Sequence, residues 1–151
     1  RIDDPRPALR PPNAIENLYA DYAHVGLSLE RHPLALIRDA LRARRCRRAD
    51  EIVQLQHGSH LRFAGLVNTR QRPQTASGVT FVTLEDETGS VNAVIWRDLG
   101  LRQRRELVES ELLAIDGVLQ YQDGVRHLIA RRLHDYSALL PGLRRATRDF
   151  H

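Results

Sequence analysis

Apolar and polar side chains alternate with period two through residues 79–85 and again through 90–96, in the run GVTFVTLEDETGSVNAVIW. That alternation, rich in Val, Ile, Thr, Phe and Trp, is how a half-buried strand reads. Glu-Asp-Glu-Thr-Gly separates the two runs, and Gly89 supplies the backbone freedom of a tight reversal, so the stretch predicts a β-hairpin. Val82 and Leu84 fall on one face of its first strand, and Phe81 and Thr83 on the other.

Further strands follow the same logic. LRFAGLVN over 61–68 places Leu61, Phe63, Gly65 and Val67 on one face and Arg62, Ala64, Leu66 and Asn68 on the other. Residues 69–77 read as a polar loop that carries Arg70 and Arg72. A short amphipathic helix is expected over 98–107, with Leu99, Leu101 and Leu107 inward and Arg102, Arg104 and Arg105 outward. Residues 112–121 and 125–133 form a last hairpin that turns at Gln122-Asp123-Gly124.

The pattern before residue 59 is helical. Residues 1–12 hold four of the seven prolines and read as an extended linker. Asn13 with Glu16 matches a capping box, and Ile15, Leu18, Tyr19 and Tyr22 share one helix face. His32-Pro33 opens a second helix with Leu34, Ile37 and Leu41 as its buried stripe. A basic run over 42–48 closes it, Ala49 to Ile52 suggest a further helical turn, and Gly58 ends the segment. Residues 137–151 form an Arg-rich tail broken at Pro141-Gly142.

The order β-β-β-α-β-β over 59–136, after a helical segment over 13–58, predicts a mainly β fold with some helix. It is the order of a five-stranded OB-fold barrel. An SH3-like barrel fits less well, because no helix is usual at that place in it.

Composition narrows the class. The 151 residues suffice for one ordinary domain, or a small domain with a helical segment, and 42% hydrophobic with 28% charged residues is a globular balance. No apolar run approaches membrane-spanning length and no signal-peptide pattern is present, so neither membrane nor secretion is expected. The lone Cys46 excludes an internal disulfide and fits a reducing cytoplasm. Net charge is +4, and all 23 cationic side chains are Arg, each a planar bidentate donor suited to phosphate and to stacking on bases. The first residue is Arg rather than Met, which suggests a piece of a longer chain.

GLVNTRQRPQTASGVTFVTLEDETGSVNAVIW resembles the OB domain of C-family bacterial DNA polymerases, and within them the error-prone, damage-inducible ImuC-type branch. Asp21-Tyr22, Gly26-Leu27-Ser28-Leu29 and His32-Pro33-Leu34 resemble the helical segment before that domain. VRHLIARRL over 125–133 resembles its final strand, and the terminal Arg-Asp-Phe-His its C-terminal end. The acidic hairpin alone is shared with replicative relatives and with anticodon-binding OB domains of aminoacyl-tRNA synthetases. The end at His151 favours the error-prone branch, since replicative relatives continue into a further domain. The resemblance implies a non-catalytic C-terminal region of a DNA-directed DNA polymerase used in translesion synthesis and mutagenesis. Its magnesium-binding palm aspartates and its PHP metal cluster would lie outside this chain, which itself carries no cofactor.

Phe81 is the leading candidate for function, as an aromatic on an open strand face that stacks on a base. Matching aromatics of anticodon-binding OB domains point the same way; the alternatives are core burial or packing against the helical segment. Arg70 and Arg72, in the expected loop, are candidates for phosphate contact. Arg62, Asn92 and Trp96 are candidates to share the platform, Trp96 alternatively covering the barrel's base. Arg126, His127 and Arg131 are further candidates on the last strand. The 42–48 run suits a phosphate backbone, an acidic partner, or simply solvent. Glu85-Asp86-Glu87 reads as turn chemistry rather than a metal site. The histidines lack zinc-ligand spacing, and Cys46 lacks a paired base.

Two functions are expected of such a chain. One is binding of single-stranded DNA template. The other, implied by the resemblance, is docking in a complex with an inactive Y-family-like ImuB-type partner. The sliding clamp would be reached indirectly, since residues 51–56 make too weak a match to a clamp-binding peptide.

Overall fold

β2 (His60–Gln71) serves two partners. Its first half pairs with β5 (Leu112–Gln122) and its second half with β3 (Thr80–Asp86), both antiparallel. Leu66 is the changeover, in register with both Leu112 and Glu85. A bulge between Val67 and Thr69 bends the strand there. The computed structural model that shows this describes residues 32–73 and 77–140.

β3 continues into β4 (Gly89–Ile95), β4 lies parallel to β6 (Val125–Asp135), and β6 pairs back to β5. The five strands therefore close on themselves as an OB-fold barrel. The short β1 (Cys46–Arg47) adds a parallel pair to β2. β5 and β6 are joined through Asp123 and Gly124, both with positive φ, as the Asp-Gly signal requires. Gly117 sits at a bulge against β6, where a methyl would run into the carbonyl oxygen of Ile129.

The barrel interior is filled by Phe63, Leu84, Ile95, Leu113, Ile115 and Leu128, all fully buried. Each such side chain contributes about 1.5–3 kcal/mol by leaving water. Two short helices, α4 (Arg97–Arg102) and α5 (Arg104–Glu109), connect β4 to β5. The single helix expected over 98–107 is thus interrupted at Gln103. Leu99 and Leu107 enter the core as expected, but Leu101 is 55% exposed, because two residues along one helix turn it about 200° from Leu99. Gln103 uses its side-chain amide as a substitute strand partner. Its Nε2 donates to the Leu133 carbonyl at 2.9 Å, and its Oε1 accepts from the Leu133 N–H at 2.8 Å.

The described part of the helical segment is α1 (Pro33–Leu36), α2 (Arg38–Ala43) and α3 (Ala49–Ile52). Leu34 and Leu41 pack with Cys46, Ala64, Leu66, Leu112, Ala114 and Leu140 in a second core on the outside of β2 and β5. Ala64 and Leu66, which alternation alone turns toward water, are covered by these helices. Ala49 and Ile52 belong to the barrel core itself. The linker expected over 1–12, the helix expected from Asn13 and the tail beyond Leu140 lie outside the described residues. No described helix is long and apolar enough to cross a membrane.

Candidate nucleic-acid interface

The outer face of the β3–β4 hairpin is set by register. Phe81 pairs with Val94 and Thr83 with Asn92, while Val82 and Leu84 point into the core at 1% and 0% exposure. Phe81 is 36% exposed and Trp96, two residues past Val94, is 56% exposed. The described helices cover the outer side of β2 and β5 rather than this face. Asn92 is exposed, and its Oδ1 accepts the Thr83 hydroxyl at 3.2 Å. Two aromatics with an amide and a hydroxyl beside them make a surface on which flat bases can stack and find hydrogen bonds.

Gln71 pairs with Phe81, and Arg72, one residue past the end of β2, is exposed and has no ion pair among the described residues. Arg97, which sequence reasoning did not single out, is also exposed. Its stem lies against Gly78, so close that a Cβ there would come within 2.8 Å of the Arg97 Cδ. Its adjacency to Trp96 at the strand's end was the available signal.

Other candidates stand elsewhere. Arg70 does not lie in a loop. β2 extends through Gln71, and Arg70 pairs with Val82, on the side opposite Phe81. Its Nε donates to the Leu107 carbonyl at 2.6 Å and its Nη2 to that of Ser110, tying the strand to the α5 end. Burial of the guanidinium lowers its pKa, with the charge of Glu111 opposing. Arg62 lies on the covered side of the barrel, in a two-pronged ion pair with Asp116, its register partner across β2 and β5. It also donates to the Arg44 carbonyl and the Tyr136 hydroxyl. The hydrogen bond to Arg62 holds the Asp116 carboxyl below the ordinary range against the effect of burial, with His134 helping.

Arg126 lies over the Tyr121 ring at 4.2 Å and donates to the Val53 carbonyl. His127 is half-buried beside Asn92 in a cleft of about 310 Å³ between α3 and the β4–β6 seam. Arg131 is exposed on the far part of β6. So Phe81, Asn92 and Trp96 share one face, Arg72 follows the end of the strand beside it, and Arg62, Arg70, Arg126, His127 and Arg131 are distributed around the barrel.

The acidic turn is structural. Asp86 Oδ1 accepts from the N–H and hydroxyl of Thr88 and from the Gly89 N–H, closing the turn. Oδ2 accepts from the Ala49 N–H at 2.9 Å and the Thr88 hydroxyl from the Asp50 N–H, so the turn also caps α3. Arg38 completes the arrangement with Asp86 and Glu87. Among the described residues no group of three His, Cys, Asp or Glu side chains is arranged to hold a metal ion. Cys46 is buried, and burial pushes its thiol up to about 11.

The sequence model of the family described as an OB-fold nucleic acid binding domain matches residues 61–136. The error-prone DNA polymerase of Pseudomonas paraeruginosa is 55% identical over 151 residues, 100% of this chain and 15% of the relative. Those of Pseudomonas fluorescens (strain Pf-5) and Burkholderia mallei are 56% and 50% identical, over 95% and 97% of this chain and 14% of each relative. The chain thus spans about one-seventh of the length of these curated relatives. The solved asparaginyl-tRNA synthetase of Pyrococcus horikoshii superposes with a TM-score of 0.46 at 20% identity, over 53% of this chain and 20% of that one.

Proposed function

The chain belongs to the OB-fold nucleic acid binding domain family and is the counterpart of one stretch of error-prone DNA polymerases, and on that premise we propose that it binds single-stranded DNA template for such a polymerase during translesion synthesis. The observation that carries this reading is the open β3–β4 face, on which Phe81 and Trp96 are exposed beside Asn92. Stacking tolerates any sequence, which suits a template holder, and Arg72 and Arg97 supply cations for the backbone at its edge. Catalysis belongs to the parent enzyme's metal-bearing domains and not to this chain.

Titration of labelled oligo-dT tests the reading. Phe81→Ala weakens binding about tenfold or more, from the magnitude of base–aromatic stacking. Absence of binding by the unaltered chain at low salt would refute it.

A second reading, docking of an ImuB-type partner that brings the sliding clamp indirectly, is supported by a different place. Val53 and Val125, 53% and 48% exposed, border the cleft beside α3. Pull-down of the partner's C-terminal region by the chain and by Val53→Asp tests it. Equal capture by both removes that cleft from consideration.

A further inference from the structure

A second concave surface lies around the barrel from the aromatic face. It is a groove of about 420 Å³ lined by Arg45, Arg47, His60, Arg62, Asp116 and Arg131, among others. Four guanidiniums face one carboxylate, and that carboxylate is already engaged by Arg62 and His134. Arg45, Arg47 and Arg131 are exposed, and among the described residues none has a carboxylate partner. Arg45, with a φ of 65°, ends α2 in the left-handed conformation that closes a helix, and this turns its side chain out of the helix line.

Strand register relates the groove to the platform. Val94 is in register with Ile129, and Arg131 stands two residues further along β6, on the strand next to Trp96. Two residues of extended chain cover about 7 Å and one strand spacing about 4.8 Å, so Arg131 is within one or two nucleotides of the aromatics. We propose that this groove binds the phosphate backbone of the same single strand as it leaves the Phe81–Trp96 face across β6. It extends the footprint of the barrel and contributes charge but no base contact.

This rests on the single-strand reading above, and the two are separable. The intact chain is titrated over a salt series with labelled oligo-dT of ~6 and ~20 nucleotides, lengths that bracket the span of one OB fold. The variants are Phe81→Ala, the triple Arg45→Gln/Arg47→Gln/Arg131→Gln, and a charge-matched control, Arg102→Gln/Arg104→Gln/Arg105→Gln on α4 and α5. The groove triple is expected to weaken the long oligomer about tenfold or more and flatten its salt slope by about two, for three lost single-strand phosphate contacts. The short oligomer changes less than about twofold, and the control leaves both slopes in place. Urea midpoints of both triples establish that they fold.

Five results overturn the proposal. An unchanged long-oligomer slope while Phe81→Ala weakens both lengths leaves the platform alone standing. An equal loss with the control triple reduces the effect to net charge. Equal loss on both oligomer lengths denies a separate groove, and selective loss of polyglutamate binding reassigns it to an acidic protein. If the groove triple acts and Phe81→Ala does not, the single-strand reading of the platform falls, and with it the path from the platform into the groove.

Discussion

The guanidinium of Arg38 meets the carboxylate of Glu87 edge to edge across 49 positions of sequence, Nε and Nη2 each 2.7 Å from an oxygen. The Arg38 side chain is 9% exposed and that of Glu87 15%, and Nη2 also reaches Asp86, which is fully buried. Removing the cation strands two carboxylates in a dry site. Arg38→Ala therefore destabilises the fold by about 3–5 kcal/mol, read as a lowered urea midpoint. Arg38→Lys recovers little of this, because one point charge cannot replace the planar fork.

The same pair sets an acid limit. Burial pushes the Glu87 carboxyl up, but the hydrogen bond and charge of Arg38 outweigh it, and the net shift is downward. Asp116 is shifted down by Arg62. A depressed carboxyl stabilises the fold fully above its unfolded pKa, and that stability is lost as pH falls through the folded one. Urea midpoints stay level from neutrality to about pH 5 and drop below about pH 4. Glu87→Gln shows a shallower acid drop; an identical drop would remove Glu87 from the account.

Gln103 serves both backbone groups of Leu133. Gln103→Ala leaves an N–H and a carbonyl without protein partners and costs about 1–3 kcal/mol. Hydrogen exchange at the Leu133 amide reports it directly, accelerating more than at neighbouring β6 amides.

Cys46 is 7% exposed with a thiol raised to about 11, so little thiolate is present at neutral pH. Labelling by a maleimide is slow in the native chain and fast in urea. The native rate follows opening of the contact between the helices and the barrel. Arg38→Ala speeds it, whereas Gln103→Ala, on the far side of the barrel, does so less.

Period-two alternation was sufficient for the β3–β4 hairpin. Val82 and Leu84 point inward and Phe81 outward because one face of that hairpin meets water. It was insufficient for β2, where Ala64 and Leu66 share a face with Arg62 and Asn68 yet lie under α1 and α2. Arg70 was lost to the loop because Thr-Arg-Gln is polar, although the ladder with β3 continues through it. The role of Arg62 was unreadable, since Asp116 lies 54 residues away. The turn chemistry of Asp86 was legible from its local spacing, and its second task of capping α3 was not. Trp96 could be placed at a strand end, but its exposure depended on how α4 departs from β4.

Asp86 gives the chain an order of assembly. Oδ1 is satisfied by groups two and three residues away, and Oδ2 by groups 37 and 48 residues away. Hairpin closure is fast, on the order of microseconds, whereas long-range contacts first require loop closure. The turn can therefore form early and present a prepared acceptor, onto which Arg38 and the first amide of α3 arrive late. A carboxylate that looks like a detail of one turn is thereby also a joint between the helices and the barrel.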